Sequence, residues 1–313
     1  MSRLLSTVSA ITFIAGTYAS ADIPKVVADI APIHSLVSRV MDGVGEPKLI
    51  VPNETSPHDY RLRPADAEAI ENANLVFWMG EGLTPWMERA LEALSNDTDI
   101  IEFLALEEST LLSFREGALF EAHDHSDHDD HDDHDDHAGH DHGEYDPHAW
   151  LSTNNAKTWL NVIAARLSSI DPDNAGAYFA NASEARGEMD ALDVEINTML
   201  DPVRGGKFVV FHDAYQYFET VYDFPASGAI SLGDASDPSA ARVAEIANRI
   251  KSENIACVLS EPQFNAGLVK TVMGGTDATT EVIDPLGFGI EPGKSLYPKL
   301  IRAMAQSLVN CLK

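Results

Sequence analysis

The chain has 313 residues, 44% of them hydrophobic, enough for two ordinary domains with buried cores. Its formal net charge is −29, of which −12 falls within residues 121–146 and −17 on the remainder. Acidity of that order argues against nucleic acid and anionic lipid as partners and favours cations.

Residues 1–21 read as an export signal: Arg3 near a free amine, an uncharged and largely apolar run over 4–19, and the small residues Ala19-Ser20-Ala21 as a cleavage site. The chain that remains is expected to be periplasmic, since no later run is long and apolar enough to span a bilayer. From Lys25 onward, apolar runs at 26–30, 49–51, 75–79 and 100–103 read as strands. Amphipathic stretches such as 64–72 lie between them. This βα alternation predicts a mostly parallel sheet flanked by helices.

Residues 154–170 then read as a helix. Asp171 as N-cap and Pro172 at N1 open a second and much longer helix that ends at Leu200, before Asp201-Pro202. It is longer than one domain needs, so we read 171–200 as a linking helix between a lobe at 22–170 and another at 201–313. The second lobe repeats the alternation, with strands at 208–211, 256–259 and 281–283 and helices at 240–251 and 296–312. Cys257 and Cys311 are its two cysteines, and in an exported chain they are expected to form a disulfide.

Eight of the twelve histidines (His123, His125, His128, His131, His134, His137, His140, His142) are interleaved with aspartate in one tract. Imidazoles beside carboxylates suit auxiliary, weak binding of zinc, copper or nickel, but a flexible tract imposes no coordination geometry. Three other histidines lie at equivalent topological places. His58 falls between a strand and the helix near Pro64, His148 between the tract and the helix at Asn154, and His212 after the apolar run Phe208-Val209-Val210-Phe211. Ligands of open α/β sheets bind beyond strand carboxyl ends, and two lobes could share one crevice. His34 opens an amphipathic helix and reads as structural.

The motifs Pro57-His58-Asp59-Tyr60, Pro147-His148-Ala149-Trp150-Leu151, Phe211-His212-Asp213-Ala214-Tyr215, Glu261-Pro262-Gln263-Phe264 and Asp284-Pro285-Leu286-Gly287 occur in that order along the chain. Together they resemble the ZnuA family, the zinc-binding proteins of bacterial ABC importers. The resemblance implies two α/β lobes bridged by one rigid helix, with the metal at their interface. It also implies that His58, His148 and His212 are zinc ligands and that the cysteines pair. Asp284 matches the acidic residue of the last motif. Because Pro57 precedes His58 where some relatives carry glutamate, the fourth ligand is Asp284 or water, and Asp284 could instead orient a histidine.

The function so implied is capture of Zn²⁺ and delivery to the membrane permease of an ABC importer, by a protein expected to act as a monomer. Binding proteins for manganese or iron, and a zinc-storing buffer or adhesin without a transporter, stay open as alternatives. An imidazole at His212 favours zinc over manganese, which prefers oxygen. A zinc hydrolase is not expected: no His-Glu-x-x-His or nucleophile-elbow pattern is present, and Glu261-Pro262 reads as a structural turn.

Overall fold

The computed structural model describes residues 23–95, 98–115, 120, 145–231, 238–262 and 266–313. The expected export signal and the eight tract histidines lie outside the described residues. Two four-stranded sheets, parallel throughout, form two lobes. The first contains β1 (Val26–Ala28), β2 (Lys48–Leu49), β3 (Leu75–Trp78) and β4 (Asp99–Glu102) in the order β2-β1-β3-β4. The second contains β5 (Phe208–His212), β6 (Ala229–Ser231), β7 (Cys257–Ser260) and β8 (Thr279–Val282) in the order β6-β5-β7-β8. Both orders are the same permutation. Each sheet therefore has a switch point between its central strands, where a crevice opens at the carboxyl ends. The central strands β1, β3 and β5 are buried at every position, the continuous apolar pattern of a parallel sheet covered on both faces.

The helices are α1 (Ala31–Val40), α2 (Pro64–Glu71), α3 (Pro85–Leu94), α4 (Thr153–Ile170), α5 (Ala175–Leu200), α6 (Gln216–Tyr222), α7 (Ala240–Glu253), α8 (Ala266–Val272) and α9 (Leu296–Leu312). None among the described residues is long and apolar enough to cross a membrane. The spine is α5, with 26 residues and a length of about 39 Å at 1.5 Å per residue. Its buried residues Tyr178, Ala182, Ala185, Met189, Leu192, Ile196 and Leu200 recur every three or four positions, one stripe along a helix. That stripe packs against α4, α1 and α9. In turn α1 packs on β1 and α9 on β7 and β8, so each sheet reaches the spine through one helix.

The start of the spine differs from expectation. A 3₁₀ turn, Pro172–Asn174, precedes it, and the Asp171 carboxylate accepts from the Asn174 amide at 2.8 Å and the Tyr178 hydroxyl at 2.7 Å instead of capping the backbone.

One apolar core runs from Val26 to Cys311 through both lobes. A smaller core joins Val209, Phe211, Ile230 and Val258 of the second sheet to α7 and α8. Strand parity sorts the side chains between them. Phe208, Val210, Cys257 and Leu259 belong to the shared core, while Val209, Phe211 and Val258 belong to the smaller one. The Cys257–Cys311 disulfide, with Cα atoms 5.5 Å apart, fastens the end of α9 to the start of β7.

Candidate metal centre

Two residues past the last Phe208- and Val210-type positions, the same alternation puts His212 on the interlobe face of the second sheet. Register supplies its neighbour. Val210 pairs with Leu259, so His212 at the end of β5 and Glu261 just past β7 continue the two chains in step. The His212 Nδ1 donates to Glu261 Oε1 at 2.6 Å, and the two residues are 1% and 3% exposed. The reading of Glu261-Pro262 as only a structural turn is therefore corrected: the carboxylate at the switch point fixes the ring and tautomer of His212.

His148 lies, as expected, just before α4, and among the described residues no named sheet strand leads into it. Ser113 and Tyr145 form an antiparallel bridge, and Asp146 N–H donates to Leu112 O at 2.8 Å. His148 then caps the 3₁₀ turn Ala149–Leu151 that leads into α4. Asp146 Oδ1 accepts from both the backbone N–H of His148 at 3.0 Å and its ring Nδ1 at 2.7 Å. The second lobe supports this carboxylate: Gln216 of α6 donates to Asp146 Oδ2 at 3.1 Å, and the Tyr217 hydroxyl donates to the Asp146 carbonyl at 2.8 Å.

His58 is half-buried in the loop between β2 and α2. The loop is shaped by Trp86 Nε1, which donates to Pro57 O at 2.8 Å, and by Asp66, which accepts from the Tyr60 hydroxyl at 2.6 Å and from the Arg63 guanidinium at 2.9 Å. The His58 and His148 ring centroids are 6.0 Å apart, and those of His148 and His212 5.2 Å. The structure thus brings together three histidines separated by 90 and 64 positions in the chain.

With each Nδ1 of His148 and His212 committed to a carboxylate, the two Nε2 lone pairs face each other at 3.4 Å. Two nitrogens bound to one tetrahedral Zn²⁺ at 2.0–2.1 Å stand about 3.3–3.4 Å apart, so the pair has the spacing of two ligands of one ion. Among the described residues no three His, Cys, Asp or Glu side chains already form a closed ligand cluster. The His148–His212 pair is set, and His58 stands beside it.

Asp284 lies just beyond β8, where its Oδ1 accepts from Leu286 N–H at 2.9 Å and its Oδ2 from Phe288 N–H. Burial pushes its carboxyl above the usual range, while these backbone N–H groups pull it back. The loop it organises ties the lobes. Pro285 O accepts from Trp150 Nε1 at 2.8 Å, and Gly287 O and Ile290 O both accept from the Asn53 amide. Gly287 adopts φ +85°, a left-handed turn that glycine enters without steric cost. His34 is structural as expected, its Nε2 bonded to Pro47 O at 3.0 Å.

The orienting carboxylates Asp146 and Glu261 were missed as site residues, although the sequence carries a signal for each: Asp146 stands two positions before His148, and Glu261 opens its motif just past an apolar run. Arg115 was also missed. It donates to Asp213, the buried residue after His212, at 3.0 Å and to buried Glu219 of α6 at 2.7 Å. Burial raises both carboxyls and the guanidinium opposes that rise.

The chain matches the family described as "ZnuA: Zinc-uptake complex component A periplasmic" over residues 26–311. It is 44% identical to the high-affinity zinc uptake system protein ZnuA of Brucella abortus (strain 2308), covering 100% of this chain and 99% of the relative. It is 41% identical to the protein of the same name from Paracoccus denitrificans, covering 94% and 93%. A solved structure titled "Crystal structure of ZnuA" superposes with a TM-score of 0.75 at 24% identity, over 93% of this chain and 100% of that one. By the family match over nearly its whole length, and by relatives this similar from end to end, the chain belongs to the ZnuA family.

Proposed function

We propose that this protein captures one Zn²⁺ ion between its lobes in the periplasm and delivers it to the permease of an ABC importer. It acts as a carrier and not as a catalyst. The observation that carries this reading is the His148–His212 pair, whose Nε2 atoms lie 3.4 Å apart with both Nδ1 atoms held by buried carboxylates. A carboxylate behind a ligating imidazole raises its basicity and fixes its direction, which is how metal-binding histidines are held. His58 is the third ligand, reached by turning its side chain within a half-buried loop. We assign the fourth position to water, because both Asp284 oxygens accept backbone N–H groups of their own loop. Asp284 then acts through the loop that joins Trp150 and Asn53 to the second lobe.

The relatives' shared name, a high-affinity zinc uptake system protein, supports zinc as the cargo. So does the donor set, since imidazole nitrogen suits Zn²⁺ and oxygen suits Mn²⁺. The histidine tract, His123 to His142, adds weak auxiliary sites, because imidazoles interleaved with carboxylates attract divalent cations. Residues 1–21 direct export. The test is competition titration on protein lacking 123–142. One tight Zn²⁺ is retained and preferred over Mn²⁺, and the tight site is lost in His58→Ala, His148→Ala and His212→Ala. Equal Mn²⁺ and Zn²⁺ binding, or loss of all zinc with the tract, refutes the assignment.

A further inference from the structure

Beside the imidazole pair lies a charge cluster that ligation does not use. Arg115 belongs to the first lobe, in the segment after β4, and its guanidinium spans two carboxylates of the second lobe. Nε donates to the two Asp213 oxygens at 3.0 and 3.1 Å, and Nη2 donates to Asp213 and, at 3.0 Å, to Glu219. Nη1 donates to Glu219 at 2.7 Å. The Phe120 ring covers the cation, its centroid 3.6 Å from Cζ. The side chains of Arg115, Asp213 and Glu219 are 17%, 6% and 5% exposed, so solvent does not screen them as it does a surface pair. Planar, forked contacts of this kind need arginine; a lysine ammonium cannot span both carboxylates in the same way.

The location gives the cluster a role. Asp213 directly follows His212, and Glu219 lies on α6, the helix whose Gln216 and Tyr217 hold Asp146. Leu112 and Ser113 of the Arg115 segment bond to Asp146 and Tyr145, next to His148. One short segment therefore grips the surroundings of both imidazoles, one from each lobe. We infer that Arg115 is a positioning residue for metal retention, clasping the first lobe to the strand-to-helix junction that carries His212 and so setting how fast Zn²⁺ leaves; this rests on His148 and His212 being ligands. An ion bound to one imidazole of each lobe departs when the two separate. A clasp across the same gap opposes that separation without adding a ligand, so its loss appears in the release rate and not in the encounter rate.

The experiment is release of Zn²⁺ from the purified protein to excess chelator by stopped flow, with association measured separately. Arg115→Met alone strands two buried carboxylates and destabilises the fold. The informative variants are Arg115→Lys, which keeps the charge but not the fork, and Arg115→Met/Asp213→Asn/Glu219→Gln, which removes the charges while preserving shape. In both, release is expected to accelerate, roughly tenfold in the triple variant and less in Arg115→Lys, with association and the count of imidazole neighbours by X-ray absorption unchanged. If both variants release Zn²⁺ within twofold of the parent while His212→Ala fails to retain it, the clasp is overturned and the site assignment stands. Slowed association together with faster release marks general disorder and also overturns the clasp. Tight zinc in His212→Ala overturns the site assignment itself.

Discussion

Replacing Glu261 by alanine tests whether the metal centre depends on the carboxylate behind an imidazole. Glu261 is 3% exposed, and its Oε1 holds His212 Nδ1 at 2.6 Å. Without it the ring loses the acceptor that fixes its tautomer, and its proton can move to Nε2, the atom that faces His148. Loss of an outer partner of a metal ligand weakens binding about 10- to 100-fold, or roughly 1.4–2.7 kcal/mol. Glu261→Gln separates geometry from charge, because the amide oxygen still accepts from Nδ1 while the negative charge is gone. It is expected near the lower end of that range, with Glu261→Ala near the upper end. Asp146→Ala, which removes the equivalent partner of His148, should fall between them. With both imidazoles on one ion, as proposed above, the Glu261→Ala/Asp146→Ala loss should be less than the sum of the single losses. The assay is calorimetry with a competing chelator, with circular dichroism to verify the fold. A folded Glu261→Ala protein that binds Zn²⁺ within twofold of the parent refutes the reasoning.

Three further outcomes follow from the geometry. Cys257→Ser/Cys311→Ser, which opens a link across 54 positions, should lower the unfolding free energy by about 4 kcal/mol in urea titration, with zinc affinity kept because Cys257 starts β7 and Glu261 lies beyond its other end; an unchanged midpoint refutes the stabilisation. Burial raises the Asp29 carboxyl from 3.8 to about 7, so the folded state holds a proton there that the unfolded state has lost, and the associated stability, on the order of 4 kcal/mol, is complete below about pH 4 and disappears as pH rises through 7. Asp29→Asn should flatten the decline between about pH 4 and 7, and an identical slope refutes this. Asp284→Ala should weaken zinc by no more than about tenfold, through its loop, whereas a loss well beyond 100-fold would make Asp284 a direct ligand.

Much of the fold was legible because local chemistry determines it. The apolar runs of β3 and β5 are buried on both faces as their composition requires, and Pro64 and Asp201-Pro202 mark helix boundaries where proline permits them. The three histidines were legible as candidates for the same reason, each standing in a short motif beside a helix start. Asp146 stands just before one motif and Glu261 opens another, but a linear reading does not reveal that β5 and β7 are neighbours in step, which is what puts Glu261 against His212. Nor does it locate His148, whose position depends on the Ser113–Tyr145 bridge and on the contacts of Asp146 with α6 of the other lobe. The sequence by itself determined the alternating elements, the long spine and the kinds of donor atom available. Only the tertiary structure decided which carboxylate stands behind which imidazole, and that Arg115 joins the lobes beside them, because those relations depend on strand order, side-chain parity and the docking of distant segments, none of which is encoded by neighbouring residues.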